Sequence, residues 1–205
     1  PKTPKPQSCE KNKNFKFYIF QPKYFNIKLF RLKKQPYELV FVNWLFIYGS
    51  SALYILIEAL NLPKGSEVIT PALTFATTVG CLVKNDLVPH FVDVGLNTYC
   101  IDVDQLEGAI NENTSAIIAP DLMGNICEWE KIREIVHKKN KNIQIICDSA
   151  DTLGATLFGK STGTYCDAAI TSFYGSHVIN GAGNGGMLVT DSKDVYEKSR
   201  LLRSW

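Results

Sequence analysis

The chain has 205 residues, is 45% hydrophobic and 20% charged, and carries a formal net charge of +2. Such a chain can bury its own core, and neither a disordered protein nor a small disulfide scaffold has this composition. Its six cysteines are scattered without a Cys-x-x-Cys pair, which argues against a zinc site and for free thiols in a reducing cytoplasm.

Charge is unevenly spread. Residues 1–47 hold ten of the 22 Lys and Arg but two of the 20 Asp and Glu, a balance of +8 against −6 for the remainder. A basic head invites a nucleic-acid or membrane-surface reading. Arg31 is the only arginine there, no binding module accompanies the lysines, and the segment is read as solvated, with neither nucleic acid nor membrane as partner. Its interleaved Phe, Tyr and Lys show no period, so it is left unassigned. The apolar stretch Leu39 to Leu60 has the length of a membrane span, but Asn43, Gly49-Ser50-Ser51 and Glu58 interrupt it, and it reads as neither a span nor a signal peptide.

From Tyr48 onward helical and extended segments alternate. Gly49-Ser50-Ser51 opens a helix with Leu53, Leu56, Ile57 and Leu60 on one face, ended by Pro63-Lys64-Gly65. A glycine and two hydroxyls at a helix start can hold an anion on free N–H groups at the positive end of the dipole. Plain N-capping by Ser50 or Ser51 has the same sequence signature. A strand at Glu67 to Thr70 breaks at Pro71, and a helix runs from about Phe75 to Lys84. Further strands are predicted at Val88 to Val92, Thr114 to Ala119 and Ile143 to Cys147, with helices from Asp102 or Asp104 and from Glu128 to Lys139.

This alternation, with nearly continuous apolar strands, predicts an α/β fold: a mainly parallel sheet with helices on both faces. Ligands in such folds bind at the carboxyl ends of strands, which singles out Asp93, Asp148 and the segment after Ile170. Asp148 ends a buried strand and needs a partner for its charge, unless it merely caps the turn Ser149 to Leu153. After Ile170 come Thr171 to His177 and the glycine-rich run Asn180 to Gly186. Two readings compete there: a hairpin turn with a solvated histidine, or an active-site loop in which His177 moves protons. The last residues, Leu201 to Trp205, are helical in pattern with no stop signal, and the chain lacks an initiator Met, so it is expected to be a fragment of something longer.

From Gly49 to Trp205 the chain resembles the large domain of the DegT/DnrJ/EryC1/StrS family, vitamin B6-dependent enzymes that act on nucleotide-linked keto-sugars. The resemblance rests on Gly49-Ser50-Ser51-Ala52-Leu53, Gly65 to Pro71, Thr74 to Thr78, Phe91-Val92-Asp93-Val94, Asp148 to Ala155, Ser172-Phe173-Tyr174 and Gly185-Gly186, in family order. Residues 1–47 do not match, so the implied layout is an unassigned segment 1–47 and, over 48–205, an aspartate-aminotransferase-like (type I) large domain. The small carboxyl-terminal domain of that fold would lie beyond Trp205.

By the same resemblance Ser50, Ser51 and Ser172 bind the cofactor phosphate, Phe75 stacks on the pyridine ring, and Asp148 pairs with the protonated ring nitrogen. His177 stands five residues after Ser172, where the aminotransferases carry the lysine that binds the cofactor aldehyde. It is similar to the family's histidine-bearing branch, sugar 3-dehydratases that work with pyridoxamine 5'-phosphate. In that branch the histidine removes a proton and the sugar's C3 hydroxyl leaves. Asp151 agrees with it too, since aminotransferases usually place Gln there. An imidazole with an ordinary pKa of about 6.5 takes a proton near neutrality without capturing an aldehyde. Departures are Val178 where those dehydratases have a second His, Asn184 where Glu is common, and Tyr48 where Asn or Ser is common. The expected protein is a cytoplasmic homodimer acting on a nucleotide sugar. Amino transfer with pyridoxal 5'-phosphate is the alternative, and a non-catalytic relative the next.

Overall fold

A computed structural model of the chain describes residues 40–42, 48–177, 179–181 and 184–203. The strands are β1 (Val40–Val42), β2 (Glu67–Pro71), β3 (Val88–Val92), β4 (Thr114–Pro120), β5 (Gln144–Asp148), β6 (Thr156–Leu157), β7 (Lys160–Ser161), β8 (Ala168–Ser172) and β9 (Gly186–Thr190). The helices are α1 (Gly49–Leu60), α2 (Ala76–Lys84), α3 (Val103–Ala109), α4 (Trp129–Lys139) and α5 (Lys193–Arg203). Seven strands form one sheet in the order β1-β9-β8-β5-β4-β2-β3, and β6 and β7 make a separate antiparallel hairpin. The run β8-β5-β4-β2-β3 is parallel; β9 is antiparallel to β8, and β1 to β9.

The side chains of each strand alternate between two cores. Val68, Ala116, Ile118, Ile146, Ala168, Ile170 and Leu188 pack with α1, α2 and α5 on one face. Their neighbours Ile69, Ile117, Ala119, Ile145, Cys147, Ala169, Met187 and Val189 pack with α3 and α4 on the other. A strand buried on both faces has no polar side to show, which is why these segments read as continuous apolar runs. The mainly parallel sheet with helices on both faces, predicted from the alternation, is present.

Element ends follow local chemistry. Helix α1 stops at Leu60, ahead of Pro63, because Asn61 takes the left-handed conformation (φ 50°) and returns its N–H to the Glu58 carbonyl. Phe75 is the N-cap of α2 in extended backbone, one residue earlier than the helix proper. The edge strand β1 falls within the segment to which the sequence assigns no role; the rest of residues 1–47 lies outside the described residues. The hairpin β6–β7 and the strand β9 are features that the sequence reading does not name. No helix among the described residues is long and apolar enough to cross a membrane. Cys81, Cys100, Cys127, Cys147 and Cys166 are buried free thiols.

Two glycines let the site assemble. A Cβ on Gly49 would lie 2.6 Å from Ser172 Cβ, and one on Gly186 would lie 2.6 Å from the Tyr48 carbonyl oxygen. Helix α1 can therefore butt against the ends of β8 and β9 only because both positions lack a side chain. Gly80, exposed in α2, has nothing within 4 Å of such a Cβ. Gly49→Ala and Gly186→Ala are each expected to lower stability in urea unfolding by about 1–3 kcal/mol, as overpacking does. Gly80→Ala is expected to raise it by about 0.5–1 kcal/mol through better helix propensity. A Gly49→Ala protein as stable as the Gly80→Ala protein would mean that the close approach is not present.

Candidate active site

The parallel strands all end on one edge of the sheet, and three adjacent ones, β4, β5 and β8, deliver Pro120, Asp148 and Ser172 there. Pro120 lies opposite Asp148 in the register, and Asp148 opposite Ile170. Together with the start of α1 and the segment after β2 they enclose a cleft of about 690 Å³. Ser50, Phe75, Asp148, Asp151, Ser172 and His177 all line it; Ser51, one residue deeper in α1, does not.

At the helix start, the capping reading is not what the structure has. The N-cap of α1 is Tyr48, whose own side chain makes no capping hydrogen bond. The Ser50 hydroxyl instead meets Thr77 Oγ1 at 2.9 Å. Ser172 Oγ accepts from the Gly49 and Tyr174 amides, each at 3.3 Å. Two hydroxyls thus gather at the positive end of α1, inside the cleft, where an anion is favoured.

Asp148 is buried, and its Oδ1 accepts from the Ala150 amide at 3.1 Å. Burial pushes its pKa up from 3.8 to about 6; the Ala150 N–H and His177 pull it down, while Asp151 and Asp121 push it further up. A carboxylate in this place is best stabilised by a cation entering the cleft. Asp148 therefore does accept the turn N–H that its capping reading requires, and it also faces the cleft.

His177 is half-buried and lines the cleft, so it is not a solvated loop histidine. Its Nδ1 sits 3.0 Å from the Ala150 carbonyl. A carbonyl oxygen only accepts, so Nδ1 carries a proton, and in the neutral imidazole Nε2 then keeps its lone pair. Tyr174 packs edge-on against the imidazole (centroids 6.2 Å) and Tyr48 against Tyr174 (5.3 Å), which restricts the ring further. The glycine-rich run connects the antiparallel strands β8 and β9, as the hairpin reading has it, although the histidine of that reading is half-buried. Val178 ahead of it, and Ala182 and Gly183 within it, lie outside the described residues.

Asp151 is exposed, and its Oδ2 accepts from the amide of Met123, which has φ 56°. One of its oxygens thus holds the rim loop after β4. Asp93, singled out by the same strand-end rule as Asp148, is not among the lining residues, because β3 is the sheet's edge strand and ends away from the β4-β5-β8 group. That rule also covers Asp121, which directly follows β4 and lines the cleft. Tyr48, Thr77 and Tyr174 line it as well; the sequence marks Thr77 and Tyr174 only as members of matching segments and Tyr48 only as a departure, with no site role.

The donor set fits a flat aromatic cation bearing a phosphate. Hydroxyls at a helix N-terminus suit the phosphate, the buried carboxyl of Asp148 suits a ring N–H, and the ring of Phe75, 68% exposed, offers a face for stacking. No lysine or arginine is found among the described lining residues.

Residues 46–205 match the DegT/DnrJ/EryC1/StrS aminotransferase family. The dTDP-4-dehydro-2,6-dideoxy-D-glucose 3-dehydratase of Saccharopolyspora spinosa is 38% identical over 165 residues, 77% of this chain and 35% of that protein. The GDP-perosamine synthase of Caulobacter vibrioides is 36% identical over 155 residues, 76% of this chain and 41% of that protein. A solved structure of the E. coli GDP-4-keto-6-deoxy-D-mannose-3-dehydratase with bound hydrated PLP superposes with a TM-score of 0.71 at 33% identity, covering 78% of this chain and 41% of that one. The chain spans less than half the length of each. It belongs to the DegT/DnrJ/EryC1/StrS aminotransferase family, and its fold is that of the pyridoxal-phosphate-dependent fold type I sugar enzymes.

Proposed function

We propose that the protein is a pyridoxamine-phosphate-dependent 3-dehydratase acting on a nucleotide-linked 4-keto-6-deoxy sugar. The observation that carries this reading is His177: a half-buried imidazole with Nδ1 on a backbone carbonyl, in a cleft with no lysine among its described lining residues. When bound, the cofactor would supply an electron sink that makes an adjacent carbon acidic. Ser50 and Ser172 would hold its phosphate, the expected third ligand Ser51 lying outside the cleft lining, while Phe75 would take its ring face and Asp148 its ring N–H, with Asp151 beside them. His177 Nε2 would take a proton from carbon, and passing that proton to the departing C3 hydroxyl would let it leave as water without expelling free hydroxide. The cytoplasm, with a second copy completing each site, is the setting the resemblance implies.

Amino transfer is the second reading, favoured by the 36% identity to a GDP-perosamine synthase. Borohydride treatment of the protein with pyridoxal phosphate, followed by mass spectrometry, separates the two. A pyridoxyl-labelled lysine would hand the site to amino transfer; an unlabelled protein that binds pyridoxamine phosphate saturably supports dehydration.

His177→Asn is expected to cut turnover by about 10²–10⁴-fold, the usual worth of a general base, with pyridoxamine phosphate affinity nearly unchanged. Loss of binding without loss of turnover per bound cofactor would make the histidine structural. Asp148 gives a pH signature in the cofactor-free protein. Its folded pKa of about 6 lies above the ordinary 3.8, so the folded state holds the proton more tightly. The resulting stability is fully present below pH 3.8 and is lost as pH rises through about 6. The loss is on the order of 3 kcal/mol. Asp148→Asn should flatten that part of the urea stability profile, and an unchanged slope between pH 4 and 6 would show that Asp148 is not desolvated (~1.4 kcal/mol per pKa unit).

A further inference from the structure

Asp121 is a second carboxylate at the floor of the cleft, 1% exposed, and the proposed chemistry gives it no task. It is densely bonded. Oδ1 accepts from the Cys127 amide at 2.8 Å and from Trp129 Nε1 at 2.9 Å. Oδ2 accepts from the Thr152 hydroxyl at 3.0 Å and from Cys147 Sγ at 3.6 Å. Its own amide donates to the Asp148 carbonyl at 2.9 Å. Burying a carboxylate is costly, and burial pushes its pKa up while these donors pull it down. A hydrophobic residue could fill the space, so the carboxylate calls for a positional reason.

The Thr152 bond supplies one. Thr152 closes the turn that starts at Ser149, through its amide to the Ser149 carbonyl at 3.2 Å. The start of that turn is fixed on β8: Ser149 N–H and hydroxyl both donate to the Ile170 carbonyl at 2.8 Å, and the Thr171 hydroxyl donates to the Ser149 carbonyl at 2.9 Å. Its far end is tied to Asp121. Between these anchors lies Ala150, whose N–H serves Asp148 and whose carbonyl serves His177. A rotation of this one peptide segment would disturb both groups at once.

We propose that Asp121 is a positioning residue: through the Thr152 hydroxyl it locks the Ser149–Thr152 turn, and so fixes the tautomer of His177 and the orientation of Asp148. The device is supported from below, since Asp121 is itself held by the start of α4 and by the fully buried Trp129. The catalytic side of the inference rests on the reading of His177 as base; the positional side does not.

The test uses ¹⁵N-histidine NMR on the protein, where only His90, His137 and His177 contribute and His177→Asn assigns the third signal. The unmodified protein should show His177 as the Nδ1–H tautomer. Thr152→Val, which keeps volume and removes the hydroxyl, should give a mixture with the Nε2–H form. It should also lower kcat by up to about 100-fold, as a misplaced catalytic group does, with KM nearly constant. Thr152→Ser, which keeps the hydroxyl, should restore both. If Thr152→Val does not fold, Asp121→Asn is read in its place, with the same expected tautomer mixture. A folded variant with the tautomer and kcat of the unmodified protein overturns the proposal. Full turnover by His177→Asn, beside a tautomer shift in Thr152→Val, would instead remove the base and leave the positioning intact.

Discussion

The close approach of α1 to the ends of β8 and β9 is the constraint on which the site depends. Gly49 and Gly186 have no room for a Cβ, one against Ser172 and the other against the Tyr48 carbonyl. That contact brings the positive end of a helix to the carboxyl edge of a parallel sheet and places Ser50 and Ser172 in one cleft. Ser50 does not cap the helix, whose N-cap is Tyr48, and Ser172 meets the helix start through the Gly49 amide at 3.3 Å. A cup in which an anion is favoured results from packing, with the helix dipole and hydroxyls brought together by it.

Beside the cup stands an electrostatic imbalance. Asp148 and Asp121 are buried at adjacent strand ends, and the one imidazole near them, His177, is committed at Nδ1 to a backbone carbonyl. Burial alone raises both carboxyls. The molecule answers the two charges differently. Asp121 accepts from four donors and acts as a structural pin, whereas Asp148 accepts from the Ala150 amide and opens onto the cleft. A buried carboxyl left open to a cleft is a place for a cationic ligand, and one saturated by protein donors is part of the frame.

The family resemblance and the geometry bear on different links of the argument. Similarity to 3-dehydratases and to a perosamine synthase supports a nucleotide-sugar enzyme without choosing the reaction. The choice turns on a single position, since a lysine at residue 177 would capture the cofactor aldehyde and an imidazole cannot. The structure adds that this imidazole is held at Nδ1 by a carbonyl that belongs to the same turn as Asp148's hydrogen-bond donor.

Much of this was legible in the sequence. Continuous apolar runs ending in a charge, as at Ile143 to Asp148, mark a buried parallel strand whose last residue lines the cleft, because alternate residues of such a strand fill two cores at once. The helix periods of α1, α2 and α4 were readable to within a residue or two, and His177 was marked by its offset from Ser172. What only the tertiary structure decided depends on long-range neighbours. Asp93 and Asp121 follow strands alike, yet one strand lies at the edge of the sheet and the other beside β5, and strand order is not a local property. Tyr48 and Tyr174 become partners, and Ser50 pairs with Thr77 rather than capping its own helix, only when distant segments converge. The sequence by itself determined the chemistry available at each position; the packing of glycine-bearing segments decided which of those groups share a cleft, because contact distances of 3 Å are set by the whole sheet and not by any stretch of chain.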